Sequence, residues 1–368
     1  MGMKTTVLLA ALISLNSLPA AAGGFEDSLS TENLLSMEVP AAAEAAPARD
    51  AASDYARYYS ALRHYSDIAF RSEPGTEAYA EAYIAANYLN GRLESLRGTG
   101  AAKSARIDLD FLGPDRATLA EIDAFFGWGN VMKGEQLSPP VTIKAGFATI
   151  KYVKGNTPFL VQGDSFLKKG EIILTFDDGP DTHGLTAAVL ETNEGVAPSI
   201  FFVLGSKLGP AGREVIKAQA RKGHEVSLHG YWHATETGKP FTAYSTSQAM
   251  ADLQKTAGLI KNATGKDPAF FRPPYGIISP AALRDAIDEL GVTPMGWTID
   301  TLDWSTRNPD ELFEKTVSLI SKRGKGIVLM HDIHPQSVQV NVRLIQWLKD
   351  NGYKVVNPET ATRAFRGN

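Results

Sequence analysis

The second half of the sequence alternates between short strand-like runs and helical patterns. The strand-like runs are mostly apolar and rich in β-branched or aromatic residues: Ile172–Phe176, Ser199–Val203, Glu225–Leu228, Ala269–Phe271, Thr293–Trp297, Ile327–Met330 and Tyr353–Val356. The helical patterns lie between them, at Thr186–Glu194, Arg213–Arg221, Ser247–Asn262, Pro280–Leu290, Asp310–Ser321 and Val338–Asn351. Strands that alternate with helices form parallel sheets. The sequence therefore predicts an α/β domain built as a distorted (β/α) barrel of about seven parallel strands.

Polar residues that can do chemistry follow these strands. In chain order they are Asp177 and Asp178 after the first strand, His229 after the third, Arg272 after the fourth, Asp300 and Asp303 after the fifth, and His331 after the sixth. In β/α barrels the active site is built at the carboxyl ends of the strands. We therefore expect these residues to share one site.

Two adjacent carboxylates beside a buried strand are costly unless a cation or a reaction uses them. His229 and His233 are four residues apart and follow Asp177 and Asp178 by about fifty residues. One aspartate and two histidines give three oxygen and nitrogen ligands, which leaves the fourth position of a tetrahedral metal open for water. This pattern predicts a catalytic rather than a structural metal site.

Composition narrows the class of protein. The chain has 368 residues, enough for one large domain and a smaller one. A formal net charge of −4 gives no electrostatic case for nucleic-acid binding. The absence of cysteine excludes disulfides and thiolate metal ligands.

The N-terminus has the features of a secretory signal peptide. Lys4 precedes a mostly apolar stretch, Val7–Ile13, and small residues surround the expected cleavage site near Gly23. A transmembrane helix needs about 20 apolar residues, and polar residues interrupt this stretch. We predict a signal peptide over residues 1–23, a secreted or periplasmic protein, and no transmembrane segment after cleavage.

The region between the signal peptide and the barrel divides into three parts. Residues 24–53 are predicted to be a flexible Ala-rich linker, residues 54–140 a helical N-terminal domain, and residues 141–167 an extended connecting segment. Tyrosines such as Tyr58 and Tyr83 recur at helical spacing, which indicates packing faces rather than ligand sites. The role of this helical region stays open.

Five motifs connect the barrel region to a known family. They are T-F-D-D-G-P at Thr175–Pro180, H-G-Y-W-H at His229–His233, R-P-P-Y-G at Arg272–Gly276, D-T-L-D-W at Asp300–Trp304 and I-V-L-M-H-D at Ile327–Asp332. With these motifs in order, residues 168–368 resemble the polysaccharide deacetylase family, also called the NodB homology domain or carbohydrate esterase family 4.

The resemblance implies a role for each motif residue. Asp178, His229 and His233 would hold the metal, which can polarise the acetyl carbonyl and lower the pKa of bound water to about 7. Asp177 would be the general base, held in place by Arg272, and His331 would be the general acid, oriented by Asp303. The backbone N–H of Tyr275 would donate to the oxyanion, and Trp304 and Leu329 would form the pocket for the acetyl group. Gly230 departs from the family, which usually has Ser or Thr there to brace the loop carrying the second histidine.

The resemblance implies a metal-dependent N-deacetylase, acting on N-acetylhexosamine residues of a β-linked polysaccharide such as peptidoglycan or chitin, or on its oligosaccharides. An O-deacetylase such as an acetyl-xylan esterase is the alternative, and a non-catalytic glycan-binding protein is a third. The ligand set suits Zn²⁺, with Co²⁺ or Ni²⁺ as other candidates. The polymer and the oligomeric state stay open.

Overall fold

The computed structural model describes residues 50–96, 98–107, 113–127, 148–233 and 240–366. The predicted signal peptide lies outside these residues, as does the predicted linker up to residue 49.

The chain begins, in the described part, with helices. They are α1 (Ala51–Arg71), α2 (Glu77–Ser95), α3 (Ala101–Ser104) and α4 (Arg116–Gly127). The side chain of Asp50 caps α1 by accepting from the N–H of Ser53, and Thr76 caps α2 in the same way. Helix α1 therefore starts inside the segment predicted as linker. The expected helical N-terminal region is confirmed.

A β-hairpin connects these helices to the barrel. Its strands, β1 (Ala148–Val153) and β2 (Thr157–Gln162), pair antiparallel. Pro158 and Phe159 of β2 contact the segment at Ile277 and Ile278, so the hairpin packs on the barrel.

The barrel is a single parallel sheet. Its strands are β3 (Glu171–Gly179), β4 (Ile200–Leu204), β5 (Glu225–Gly230), β6 (Phe270–Phe271), β7 (Thr293–Pro294), β8 (Ile299–Asp300), β9 (Gly326–His331) and β10 (Lys354–Val355). The spatial order is β7-β6-β5-β4-β3-β9-β8, and β10 pairs with the start of β3. The central strands β3, β4 and β9 are almost wholly buried, as continuous apolar runs in parallel sheets are.

Helices cover the sheet between the strands. They are α5 (Leu185–Asn193), α6 (Pro210–Arg221), α7 (Thr246–Thr264), α8 (Pro280–Leu290), α9 (Pro309–Arg323), α10 (Pro335–Asp350) and α11 (Pro358–Arg366). The prediction did not include α11. None of the helices in the described ranges is both long and apolar enough to cross a membrane.

One strand prediction was wrong. Instead of a single strand at Thr293–Trp297, only Thr293 and Pro294 pair with β6, and the next strand, Ile299–Asp300, pairs with β9 at the other edge of the sheet. Five residue steps span at most about 18 Å. The two sheet edges must therefore lie close together, which confirms a curled, distorted barrel.

Candidate active site

Two β-bulges aim the first two motifs into the site. Successive side chains of a regular strand point to opposite faces, so Asp177 and Asp178 would diverge. The register between β3 and β4 shifts at Asp178, whose φ is 69°, and the two carboxylates can then serve the same face. A second shift leaves His229 unpaired in β5, between Leu228 and Gly230. The aspartates and His229 thus lie within strand ends rather than after them.

Asp178, His229 and His233 form a cluster that can hold a cation. Their ligand atoms lie within 4.8 Å of one another. Asp178 Oδ1 is 3.2 Å from His229 Nε2 and 3.5 Å from His233 Nε2. Asp178 Oδ1 is also buried without a hydrogen-bond partner, which is unusual unless an ion completes its environment. These residues fit a divalent metal.

The surroundings set the protonation states that a cation needs. His229 Nδ1 lies 2.7 Å from the carbonyl oxygen of Arg272, so Nδ1 donates there and Nε2 is left as the ligand. Burial would raise the pKa of Asp178, but the neighbouring histidines hold it well below its usual range. Burial lowers the pKa of His233 to about 4. At neutral pH the carboxylate is therefore ionised and His233 is neutral, as ligands must be.

Arg272 fixes Asp177 beside this cluster. The guanidinium is fully buried and donates from Nη1 to Asp177 Oδ1 at 2.7 Å and to Thr175 Oγ1 at 2.9 Å. It also donates to the carbonyls of Met295 and Gly296 in the segment that crosses between the sheet edges. Asp177 Oδ2 lies 3.9 Å from His229 Nε2. The carboxylate thus has one oxygen held by arginine and the other toward the cluster.

Asp303 orients His331. The two side chains meet at 2.7 Å between Oδ1 and Nδ1, and Asp303 Oδ2 accepts from the N–H of His331 at 2.8 Å. The hydroxyl of Ser337 also donates to Oδ2, a contact that the sequence did not predict. Burial would lower the pKa of His331, but the Asp303 carboxylate outweighs it and raises the pKa to about 10. His331 is therefore protonated at neutral pH, and its Nε2 lies 3.9 Å from Asp178 Oδ2.

Of the residues predicted to contact substrate, Tyr275 lies beside the cation cluster, and Trp304 and Leu329 lie in an apolar cluster. Tyr275 occupies a left-handed turn, with φ 58° and ψ 6°, and its ring centroid is 4.4 Å from that of His233. Trp304 and Leu329 are buried and belong to one apolar cluster. That cluster also includes α2, so the N-terminal helices reach the predicted acetyl pocket.

The loop carrying His233 is braced from a helix. Gly230 has φ 113°, and a Cβ there would meet the carbonyl oxygen of Trp232 at 2.9 Å. Asp252 of α7 accepts from the N–H of Tyr231 at 2.7 Å. The Asp252 carboxylate thus holds this loop by a hydrogen bond, and the positive φ explains the glycine at position 230. The sequence did not identify Asp252.

Comparison with known proteins relates part of the chain to a family. The sequence profile of the family described as polysaccharide deacetylase matches residues 165–295. These residues belong to the polysaccharide deacetylase family. The matched residues contain the first three motifs, and Asp303, Trp304, Leu329 and His331 lie beyond them.

Three relatives are named for different polysaccharides. A peptidoglycan-N-acetylglucosamine deacetylase of Bacillus cereus is 32% identical over 189 residues, which cover 49% of this chain and 66% of the relative. Chitin deacetylase 1 of Cryptococcus neoformans is 32% identical over 193 residues, covering 47% and 39%. A bifunctional xylanase/xylan deacetylase of Cellvibrio japonicus is 28% identical over 163 residues, covering 44% and 23%. The match thus covers about half of this chain and no more than about two thirds of any of these relatives.

Proposed function

We propose that this deacetylase-family protein is a metal-dependent hydrolase that removes N-acetyl groups from N-acetylhexosamine units of a β-linked polysaccharide. The observation that carries the proposal is the convergence of a cation-ready cluster with an arginine-held carboxylate and a protonated histidine. Asp178, His229 and His233 would hold the cation, and Asp177 and His331 flank them.

A bound divalent cation would polarise the acetyl carbonyl and favour ionisation of water. Zn²⁺ is the first candidate for this ligand set, and Co²⁺ and Ni²⁺ are the others. A side-chain exposure of 26% at His233 and 17% at Asp178 leaves the cluster accessible to water and substrate.

Asp177 is the proposed general base. It takes a proton from water as the water oxygen attacks the acetyl carbonyl carbon, and its salt bridge to Arg272 fixes the direction of the carboxylate. The backbone N–H of Tyr275 is proposed to donate to the oxyanion that develops on the carbonyl oxygen.

His331 is the proposed general acid. Its proton goes to the amide nitrogen as the C–N bond breaks, which releases acetate and leaves a free amine on the sugar. Asp303 holds the imidazole by Nδ1, so Nε2 faces the reaction. Trp304 and Leu329 are proposed to receive the acetyl methyl group.

The substrate proposal follows from the relatives. Two of them are named for peptidoglycan and chitin, both polymers of N-acetylated sugars, so an amide substrate such as peptidoglycan or a chitin-like chain is favoured. The xylan deacetylase relative supports O-deacetylation as the second candidate. We also propose export by the predicted signal peptide, since such polymers lie outside the cytoplasm.

Acetate release by the purified mature protein tests the function. The panel is N-acetylglucosamine oligomers, peptidoglycan and acetylated xylan, each with added Zn²⁺ and with a chelator. Chelator-sensitive release from the amide substrates is expected. Release from xylan alone would replace the proposal with the esterase alternative, and no release from any substrate by metal-loaded protein would contradict both.

A further inference from the structure

Helix α2 presents two tyrosines to the barrel. Tyr79 and Tyr83 are four residues apart and so lie on one helix face, with their ring centroids 5.6 Å apart. Both rings pack edge-on against Phe159 of the hairpin, at 6.4 Å and 6.2 Å. This face of α2 is therefore fixed against the barrel at the end where the motif residues converge.

Tyr79 anchors the helix by hydrogen bonds. Its hydroxyl donates to Asp300 Oδ2 at 2.6 Å and accepts from Trp297 Nε1 at 2.5 Å. Asp300 in turn accepts from the N–H of Leu302 at 2.9 Å. The segment that receives these bonds leads directly to Asp303 and Trp304, so α2 is tied to the chain that carries the proposed acid and pocket.

Tyr83 lies one turn further and reaches the pocket itself. Its ring centroid is 5.1 Å from that of Trp297 and 6.4 Å from that of Trp304, and it shares the apolar cluster of Leu329. The side chain is only 5% exposed. Tyr83 therefore packs beside the segment that carries Asp303 and Trp304.

The electrostatic surroundings agree with that position. Burial raises the pKa of Tyr83 well above its usual value, and the carboxylates of Asp300, Asp177 and Asp178 raise it further. A side chain of the N-terminal region thus feels the charges of the proposed base and of a proposed metal ligand.

We propose that Tyr83 forms a wall of the pocket that receives the acyl group, and that its ring restricts that group to acetyl. The inference rests on the proposed deacetylase function. Trp304 and Leu329 belong to the barrel, whereas Tyr83 belongs to α2 and its ring contacts that of Trp304. The Tyr83 ring would then close the pocket against a longer acyl chain. The N-terminal helices are then part of the substrate site.

Acyl-chain preference tests the inference. The substrates are two glucosamine tetramers that differ only in carrying N-acetyl or N-propionyl groups, and kcat/KM is measured for each by carboxylate release with added Zn²⁺. The wild-type protein should prefer acetyl by about 10–200-fold, as for one methylene in a tight pocket. Tyr83→Ala should narrow that ratio by about tenfold or more. Tyr83→Phe keeps the ring and should keep the ratio.

Leu89→Ala is the matched control. Leu89 is also fully buried on α2 but lies six residues from Tyr83, on a different face at about 100° per residue. Its loss should weaken the packing of the helices without changing the acyl ratio. If Tyr83→Ala does not fold, Tyr83→Leu makes a smaller opening and should narrow the ratio in the same direction.

The outcomes separate this inference from the proposed function. A folded Tyr83→Ala with the wild-type ratio would overturn the inference, as would an equal narrowing in Leu89→Ala, while acetate release by the wild type would leave the deacetylase function intact. If the wild type releases no acetate from either tetramer or from peptidoglycan, the proposed function fails and the inference fails with it.

Discussion

Two parts of the candidate site each pair an aspartate with histidine, and the two carboxylates are held differently. Asp303 is fully buried, and its oxygens accept from His331 twice and from Ser337. Asp178 lies between His229 and His233, and its Oδ1 has no hydrogen-bond partner. A carboxylate with satisfied oxygens can only orient its neighbour, whereas one with a free oxygen can bind a cation. We call these the acid side and the cation side.

The largest expected effect lies between the two sides, at Asp177. Asp177→Asn removes the proposed base and keeps the side-chain shape, so turnover should fall by about 10²–10⁴-fold. Zn²⁺ binding, measured by calorimetric titration, should persist because Asp178, His229 and His233 are unchanged. An unchanged rate would refute the role of Asp177 as base.

A matched pair of substitutions tests whether the sides differ in stability. Asp303→Asn leaves the donors that now reach Oδ2 without an acceptor. Each lost hydrogen bond should lower the free energy of unfolding by about 1–3 kcal/mol. Asn tolerates the positive φ at position 178, and Asp178→Asn removes an oxygen that has no hydrogen-bond partner. The metal-free protein should therefore lose much less stability than in Asp303→Asn.

Thermal unfolding in chelator measures both variants, and Zn²⁺ titration should show the reverse order, with the greater loss of affinity in Asp178→Asn. Equal destabilisation of the metal-free protein by both substitutions would mean that the two carboxylates are held alike.

The acid side also predicts a pH dependence. The Asp303 carboxylate keeps His331 protonated by raising its pKa to about 10, so the proposed acid loses its proton only as the pH rises through that range. Without the charge, burial dominates and the pKa falls. The high-pH limb of the kcat/KM profile should therefore move to lower pH in Asp303→Asn. Ser337→Ala removes one hydrogen bond but keeps the charge, so its limb should stay in place.

Sequence reasoning identified the strand-end residues because each follows an apolar run and belongs to a recognisable motif. The structure brings Asp177, Asp178, His229 and His331 together as that pattern predicts. The sequence pattern could not predict the β-bulges, because the direction of the Asp178 side chain depends on a register shift between β3 and β4.

Contacts between distant segments were also beyond the sequence. Asp252 lies 21 residues from the loop it braces, and Tyr79 lies 221 residues from Asp300. The sequence predicts that the α2 tyrosines form a packing face, and Tyr79 and Tyr83 are indeed buried. The pattern gave no sign that the same face also reaches a site, because helical periodicity marks which side is buried and not what buries it. Because a buried tyrosine usually needs a hydrogen-bond partner for its hydroxyl, tyrosines on a packing face are a reason to ask which polar groups lie opposite them.

The smallest expected effect tests whether the cation side is loosened by its glycine. The family's usual hydroxyl suggests that Gly230→Ser would strengthen metal binding. The structure predicts the opposite, because φ is 113° and a Cβ would lie 2.9 Å from the carbonyl oxygen of Trp232. The strain should cost about 1–3 kcal/mol and weaken Zn²⁺ binding through His233.

Gly258→Ser is the control, since a Cβ at that position in α7 meets nothing within 4 Å. It should leave both stability and Zn²⁺ affinity near those of the wild type. Asp252→Ala should weaken Zn²⁺ binding as Gly230→Ser does, because it removes the acceptor for the Tyr231 N–H. If Gly230→Ser instead raised the affinity measured by titration, the loop would lack a brace in the natural protein. The missing hydrogen-bond partner of Asp178 on the cation side would then reflect a loosely held loop, rather than a carboxylate kept available for an ion.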